Sequence, residues 1–290
     1  MQMIFLAQTV TLEWWKAVIL GIVQGVAELL PISSSAHLVL VPWFFGWPDP
    51  GLTFDVALHI GTLAAVLIYF WSDLWGMLTA LVRGVSRGRP LAEQNARLGL
   101  MVVAASIPGA LFGVILNDRI DSYFHAENAN RSALAIIAVA LIVMGLLLAV
   151  AERAARHIRD LNGVTFRDAV IIGAAQAFAL IPGVSRSGST ITTGLFLGLR
   201  RETAARFSFL LSVPITAGAA LKQMYDLFKA GGLTTDERLP FAIGIITSGL
   251  VGYACIAWLL RYLQRATTVV FTVYRVLLGV IVLVLLLLRT

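Results

Sequence analysis

Six apolar stretches constrain this chain more than any other feature, because each is long enough to cross a lipid bilayer as a helix. A transmembrane helix takes about 20 mainly apolar residues. The stretches cover residues 51–71, 98–116, 132–151, 204–225, 239–260 and 269–288. They predict an all-α polytopic membrane protein with six transmembrane helices, built as a single integral membrane domain over residues 1–290.

The composition excludes a soluble globular enzyme. The chain is 59% hydrophobic and 13% charged, whereas soluble domains are about 45–50% apolar and about 25% charged. Because so few charged residues cannot cover the surface of the protein, we expect the lipid bilayer to contact most of that surface. The net charge of +6 is attributed to arginines that orient the spans, and no nucleic-acid partner is expected.

Two further apolar stretches are interrupted in the middle. Residues 14–47 are broken by PISSSAH (31–37), and residues 166–199 are broken by PGVSRSGST (182–190). A proline followed by serines ends a helix and leaves backbone groups unpaired, which is tolerated in a membrane only beside protein or a water-filled cavity. Each piece is too short to span, so we predict two re-entrant helical hairpins.

The basic residues predict the orientation of the spans. Connections 72–97, 152–167, 200–206 and 261–265 are rich in arginine and are therefore expected on the cytoplasmic side. Connections 117–131 and 222–238 carry two and three basic residues, respectively, against three acidic residues each, and are expected outside. This alternation makes the first hairpin enter from outside and the second from inside, with three complete spans between them.

An internal repeat agrees with that inversion. The segments that start at Ala17 and Ala169 align at a constant offset of 152 residues, and Pro31 matches Pro182 after a one-residue deletion. An odd number of spans between related segments inverts one relative to the other, as in many transport folds. We therefore predict an inverted-topology repeat of residues 14–151 and 166–288. The identical pairs are Ala17/Ala169, Val18/Val170, Ile19/Ile171, Gly21/Gly173, Gln24/Gln176 and Ala27/Ala179.

A glutamine and a glutamate lie one helical turn apart before the first break. Gln24 and Glu28 share a helix face and can address one ligand. A carboxylate facing lipid costs about 2.5–3.5 kcal/mol on insertion scales, so Glu28 must face a cavity or a partner. We interpret Glu28 as catalytic and Gln24 as substrate-binding. The alternative is a structural carboxylate that hydrogen-bonds the neighbouring hairpin.

The first break contains the groups expected of an anion site. Ser33, Ser34 and Ser35 can cap the next helix and leave its first N–H groups aimed into the break. His37 follows in the first turn, where its imidazole can transfer a proton or attack phosphorus. We interpret Ser33, Ser34 and His37 as catalytic candidates and Ser35 as substrate-binding. A satisfied core histidine is the alternative for His37.

The second break repeats this pattern with a positive charge. Arg186 can bind a phosphate or carboxylate through two parallel hydrogen bonds, and we interpret it as catalytic. An ion pair between Arg186 and Glu28 with a purely structural role is the alternative. The neighbouring hydroxyls and a glycine that permits close backbone approach are interpreted as substrate-binding: Ser185, Ser187, Gly188 and Thr190.

Three other polar residues give weaker signals. Asp55 and His59 lie four residues apart, and a supporting role beside the site and a simple interfacial location are equally compatible with that spacing. Arg275, in the last span, is expected to pair with a carbonyl or carboxylate inside the bundle.

Three strings together resemble the undecaprenyl pyrophosphate phosphatase family of the bacitracin-resistance type. They are QGVAELLPISSSAHL (24–38), FDVALHIGT (54–62) and PGVSRSGST (182–190). The resemblance implies hydrolysis of undecaprenyl pyrophosphate to the monophosphate carrier lipid of peptidoglycan synthesis. It also implies a location in the bacterial cytoplasmic membrane with the site open to the periplasm. The positions that match the family motifs are Gln24, Glu28, Ser33, Ser34, His37, Ser185, Arg186 and Thr190.

The same resemblance implies a divalent cation, Mg²⁺ or Ca²⁺. Glu28 is the candidate metal ligand, with serine hydroxyls and the phosphates of the substrate as further oxygen ligands. At the position of Gln24 the family pattern allows glutamate or glutamine, and glutamine removes a charged metal ligand, which weakens any metal site here.

The expected reaction leaves the nucleophile open. His37 could form a phosphoenzyme or act as general acid and base, and Ser33 or Ser34 could attack with His37 as base. A transporter or flippase of polyprenyl phosphate lipids is the alternative function, because inverted repeats with broken helices also build transporters. An intramembrane serine protease is disfavoured by the arginine beside Ser185. The sequence leaves the oligomeric state open, a homodimer included.

Overall fold

Residues 12–124 and 130–289 are described by a computed structural model, and within them the chain forms eleven α-helices. In chain order these are α1 (Trp14–Ala27), α2 (Ser34–Phe45), α3 (Leu52–Tyr69), α4 (Trp71–Ser86), α5 (Gln94–Phe124), α6 (Arg131–Ala154), α7 (Phe166–Ala177), α8 (Arg186–Phe196), α9 (Arg201–Lys229), α10 (Thr235–Leu263) and α11 (Val269–Leu288).

Six of these helices are long and apolar enough to cross a membrane, namely α3, α5, α6, α9, α10 and α11. They coincide with the six stretches expected from the sequence, so the all-α class and the six candidate spans are confirmed. Their outer faces expose large apolar side chains, among them Val114, Ile107 and Leu250. Such a surface suits lipid and not water, and the chain is a multi-pass membrane protein.

Helix α4 is an addition to the architecture expected from the sequence, which treated this region as part of a connection. It buries Met77 and Ala80 on one face and exposes Trp75 on another. Asp73 in its first turn accepts a hydrogen bond from Arg206 of α9 at 2.7 Å. With 16 residues the helix is shorter than all six candidate spans, and it packs along α5.

Both interrupted stretches form pairs of short helices, as their prolines and serines predict. In the first, α1 packs against α2 across the break at 28–33; in the second, α7 packs against α8 across the break at 178–185. The paired helices start 152 residues apart, at Trp14 and Phe166 and again at Ser34 and Arg186. The offset is therefore restored beyond the prolines, and the one-residue deletion is confined to the turns.

The long helices enclose the two pairs. Helix α10 lies against both α1 and α3, α5 lies against α7 and α9, and α6 pairs with α11. Small residues permit the closest of these approaches, as is common between membrane helices. At Gly173 of α7, an added Cβ would lie 2.2 Å from the carbonyl oxygen of Ala105 in α5.

Ionic contacts fasten the end of the bundle that carries the arginine-rich connections. Glu152 of α6 accepts hydrogen bonds from Arg201 of α9 and from the Thr268 hydroxyl before α11. Nearby, Asp168 accepts hydrogen bonds from Arg159 and Thr165. Burial alone would raise the pKa of Asp168, but these hydrogen bonds outweigh it and hold the pKa below its ordinary value.

Candidate active site

Two serines with the same unusual backbone conformation end the two breaks. Ser33 has φ +79° and caps α2 by accepting the Ala36 N–H, while Ser185 has φ +73° and caps α8 by accepting the Gly188 N–H at 3.0 Å. Positive φ is uncommon outside glycine. Each serine thus turns the chain sharply so that a helix N-terminus begins inside the protein, and two such N-termini form an environment that favours anions.

The two breaks contact each other directly. The Gly183 N–H donates to the Ser33 hydroxyl at 3.1 Å, and the Ser187 hydroxyl donates to the Leu30 carbonyl at 2.9 Å. Both donors come from the second hairpin and both acceptors from the first break, and together these bonds hold the first turns of α2 and α8 side by side.

Arg275 of α11 is fully buried and donates hydrogen bonds to carbonyls of both breaks. Its guanidinium donates to the carbonyls of Pro31 (2.9 Å), Gly183 (2.6 Å), Val184 (3.0 Å) and Leu141 (3.3 Å). The expectation that Arg275 pairs inside the bundle is confirmed, with carbonyls as its partners. These bonds satisfy backbone groups that the breaks leave without helical partners. The arginine lies so close to α8 that an added Cβ on Gly188 would be 2.8 Å from Nη1.

Glu28 is the centre of the polar contacts between the hairpins. Its Oε1 accepts a hydrogen bond from Arg186 Nη2 at 2.8 Å, and its Oε2 accepts one from the Ser34 hydroxyl. Gln24 Nε2 lies 3.4 Å from the same Oε2. The ion pair considered in the sequence analysis is therefore present, and it joins the first hairpin to the second.

His59 also faces Glu28, with 3.3 Å between His59 Nε2 and Glu28 Oε2. Its Nδ1 lies 2.7 Å from the Asp55 carbonyl and must donate to it. The contact with Glu28 is then attractive only when a proton lies between Nε2 and the carboxylate. From the sequence, His59 was compatible with a supporting role beside the site or with an interfacial location. In the structure it lies beside the Glu28 carboxylate. The spacing from Asp55 was the only signal.

A cavity of about 220 Å³ opens beside this carboxylate. The residues proposed from the sequence that line it are Glu28, Ser34, Ser35, Ser185 and Arg186. The other proposed residues do not line it, namely Gln24, Ser33, His37, Ser187, Gly188 and Thr190. The cavity thus collects one carboxylate, one guanidinium and hydroxyls from both breaks. His59, Gln176 and Thr216 add polar groups to its lining that the sequence did not assign.

His37 is buried behind the first break and does not line the cavity. Its Nδ1 donates to the Ser33 carbonyl at 2.7 Å, so its Nε2 accepts from the Tyr274 hydroxyl at 2.6 Å. Both ring nitrogens are therefore engaged, Nδ1 with the Ser33 turn and Nε2 with Tyr274 of α11. The Thr190 hydroxyl is engaged in a similar way, 2.7 Å from the Ser208 hydroxyl.

The oxygens around Glu28 fit a divalent cation only in partnership with phosphate. Among residues 12–124 and 130–289, no group of three or more His, Cys, Asp or Glu side chains could hold a metal ion. Glu28 supplies a carboxylate, and the buried Gln24 Oε1 has no hydrogen-bond partner in the part of the chain that the structure describes. Mg²⁺ is commonly bound by one or two carboxylates plus substrate phosphates, which matches this donor set.

Fold and cavity define an integral membrane protein with a cavity that is lined by charged and hydroxyl side chains from two pairs of short helices. Residues 17–281 match the family model described as bacitracin resistance protein BacA, and the chain belongs to this family. The undecaprenyl-diphosphatase of Thermomicrobium roseum is 49% identical over 93% of this chain and 96% of its own length. Those of Moorella thermoacetica (50%, covering 92% and 95%) and Geobacter sulfurreducens (46%, covering 91% and 94%) are similarly related.

The Arg275 contacts generate a stability prediction. In Arg275→Lys, one ammonium group cannot reach all four carbonyls, so buried acceptors lose their partners. We expect the free energy of unfolding to fall by about 3–5 kcal/mol, measured as a lower Tm in detergent. Arg265→Lys, at an exposed position, is the matched control and should leave Tm unchanged. Equal Tm values for the two variants would contradict this role of Arg275.

Proposed function

We propose that this protein hydrolyses undecaprenyl pyrophosphate to undecaprenyl phosphate and inorganic phosphate, which recycles the carrier lipid for cell-wall synthesis and confers bacitracin resistance. The observation that carries the proposal is the Ser34 hydroxyl bonded to Glu28, in a cavity that also contains Arg186. The similarity to the undecaprenyl-diphosphatases described above supports it. A carboxylate, an arginine and two helix N-termini supply what phosphoryl transfer needs, namely positioning and charge neutralisation.

Substrate binding would exchange one anion for another. The Arg186 guanidinium is paired with Glu28 at 2.8 Å. A pyrophosphate in the cavity would compete for that guanidinium, because its planar fork binds phosphate oxygens through parallel hydrogen bonds. Glu28 would then lose the Arg186 guanidinium as its partner and keep its hydrogen bond from the Ser34 hydroxyl. Charge neutralisation of the phosphate and preparation of the nucleophile would therefore occur together.

Ser34 is the nucleophile that the geometry supports. Its Oγ would attack the terminal phosphorus while its proton passes to Glu28 Oε2, and the bond to the bridging oxygen would break with its electrons leaving on undecaprenyl phosphate. Water would then attack the phosphoserine. The water oxygen would stay on inorganic phosphate with one proton, its other proton would be released, and Glu28 would return the serine proton to Oγ.

The other candidates take supporting roles in this mechanism. The Ser33 hydroxyl caps α2 and accepts from Gly183, and both nitrogens of His37 are engaged. We therefore assign His37 to positioning the Ser33 turn. A protonated His59 would supply a second positive charge beside Glu28 during transfer.

A divalent cation, Mg²⁺ or Ca²⁺, would be held by Glu28 and the Gln24 amide oxygen together with substrate phosphates. Once bound, it would neutralise phosphate charge.

We further propose that the two helix pairs are re-entrant hairpins within an inverted repeat of residues 14–151 and 166–288. The equal start offsets of the paired helices and the shared conformation of Ser33 and Ser185 support this. If α3, α5 and α6 correspond to α9, α10 and α11, the contact of α1 with α10 corresponds to that of α7 with α5. The contact of α3 with α10 then corresponds to that of α9 with α5. Transporters also use such repeats, so lipid transfer is the competing function.

The protein is proposed to lie in the bacterial cytoplasmic membrane with the cavity open to the outside. The arginine-rich connections, expected on the cytoplasmic side, gather at the end of the bundle fastened by Glu152 and Asp168.

Cysteine labelling tests that orientation. Cys255 is the only cysteine, so Cys255→Ser gives a clean background for Ala230→Cys, in the connection between α9 and α10, and Asn162→Cys, between α6 and α7. Both positions are exposed. A membrane-impermeant maleimide should label intact cells carrying Ala230→Cys and label Asn162→Cys only after lysis. The reverse pattern would contradict the proposed orientation.

Phosphate release from undecaprenyl pyrophosphate by the detergent-purified protein tests the activity. We expect Ser34→Ala to lower kcat by about 10³-fold or more and Arg186→Lys by about 10²–10³-fold. Arg265→Gln, at an exposed position outside the cavity, should retain full activity. A chelator added to the wild type reports on the cation. Folded wild type that binds the lipid without releasing phosphate would contradict the phosphatase and favour the transporter.

A further inference from the structure

Gln176 is a polar residue in the cavity wall whose side-chain amide has no hydrogen-bond partner among the residues that the structure describes. It lies on α7, is 3% exposed and lines the cavity. Neither its amide nitrogen nor its amide oxygen has a hydrogen-bond partner among the described residues. Burying an amide without hydrogen bonds is costly, so a glutamine in this place is a liability for stability unless a ligand satisfies it.

Comparison with Gln24 shows why the partner is missing. Gln24 lies 152 residues earlier and directs its Nε2 at Glu28, 3.4 Å away. The residue at the same offset from Glu28 is Leu180, which also lines the cavity. The second hairpin therefore retains the amide but has an apolar side chain in place of the carboxylate, and the hydrogen-bonding capacity of Gln176 is left over.

The position of the amide lets it reach a ligand. Gln176 Nε2 lies 3.1 Å from the point where a Cβ on Gly109 would be, and Gly109 also lines the cavity. The terminal torsion of glutamine is broad, and the amide has no hydrogen bond to lose when it turns. Ser185 and Arg186, at the start of α8, line the same cavity. An anion held there would be accessible to the Gln176 N–H groups.

We propose that Gln176 binds a phosphoryl oxygen of the pyrophosphate through Nε2, as a further substrate-binding residue contributed by the second hairpin. This inference rests on the proposed function, because it takes pyrophosphate as the occupant of the cavity. Hydrogen bonds to charged groups are stronger than those between neutral groups, so the ligand compensates for a burial that the protein alone leaves uncompensated.

The variant Gln176→Met keeps the shape of the side chain and removes the amide. Without ligand we expect its Tm to equal or exceed that of the wild type, because an unsatisfied polar group is gone. Its Kd for inorganic pyrophosphate, titrated at fixed Mg²⁺, should rise by about 10- to 100-fold. The KM for undecaprenyl pyrophosphate should rise in parallel.

The matched control is Thr268→Val, which removes a buried hydroxyl bonded to Glu152 outside the cavity. It should lower Tm and leave pyrophosphate affinity unchanged, the opposite of Gln176→Met. If Gln176→Met loses several degrees of Tm without ligand, or binds pyrophosphate as tightly as the wild type, the inference is wrong. In that case the proposed function still stands if the wild type hydrolyses undecaprenyl pyrophosphate and binds inorganic pyrophosphate. A wild type that does neither would overturn both the proposed function and the role of Gln176.

Discussion

The backbone polar groups of two broken helices need hydrogen-bond partners inside a membrane protein. The fully buried Arg275 is the partner of three carbonyls in these breaks. Unpaired carbonyls in an apolar interior each cost free energy, and one guanidinium donates to carbonyls from both breaks and from α6. A carboxylate partner would have used these donors. Because Arg275 bonds only to carbonyls among the described contacts, its geometry fixes the two turns relative to each other.

Charge pairing across the breaks places the two groups on which the proposed reaction depends beside each other. Glu28 comes from the first hairpin and Arg186 from the second, and neither hairpin alone contains both charges. Their pairing lowers the cost of burying each charge while keeping both beside the cavity. In the proposed mechanism an anionic substrate replaces Glu28 as the partner of Arg186, so the two residues of the ion pair also form part of the binding site.

Length and composition predicted the elements that depend on local sequence. The six spans and the two breaks follow from apolar run length and from prolines followed by serines, and the structure agrees with both. Contacts between distant segments were not predictable in the same way. His59 and Gln176 join the cavity only because α3 and α7 pack beside the breaks, and His37 faces Tyr274, which is 237 residues away. No local pattern encodes those neighbours.

The most direct test of this account is to identify the phosphorylated residue. The wild type would be mixed with undecaprenyl pyrophosphate labelled in its terminal phosphate, quenched within one turnover and mapped by peptide mass spectrometry. We expect an acid-stable phosphate ester on Ser34, whose hydroxyl is bonded to Glu28. An acid-labile phosphate on His37, or turnover with no phosphoenzyme at any quench time, would contradict it.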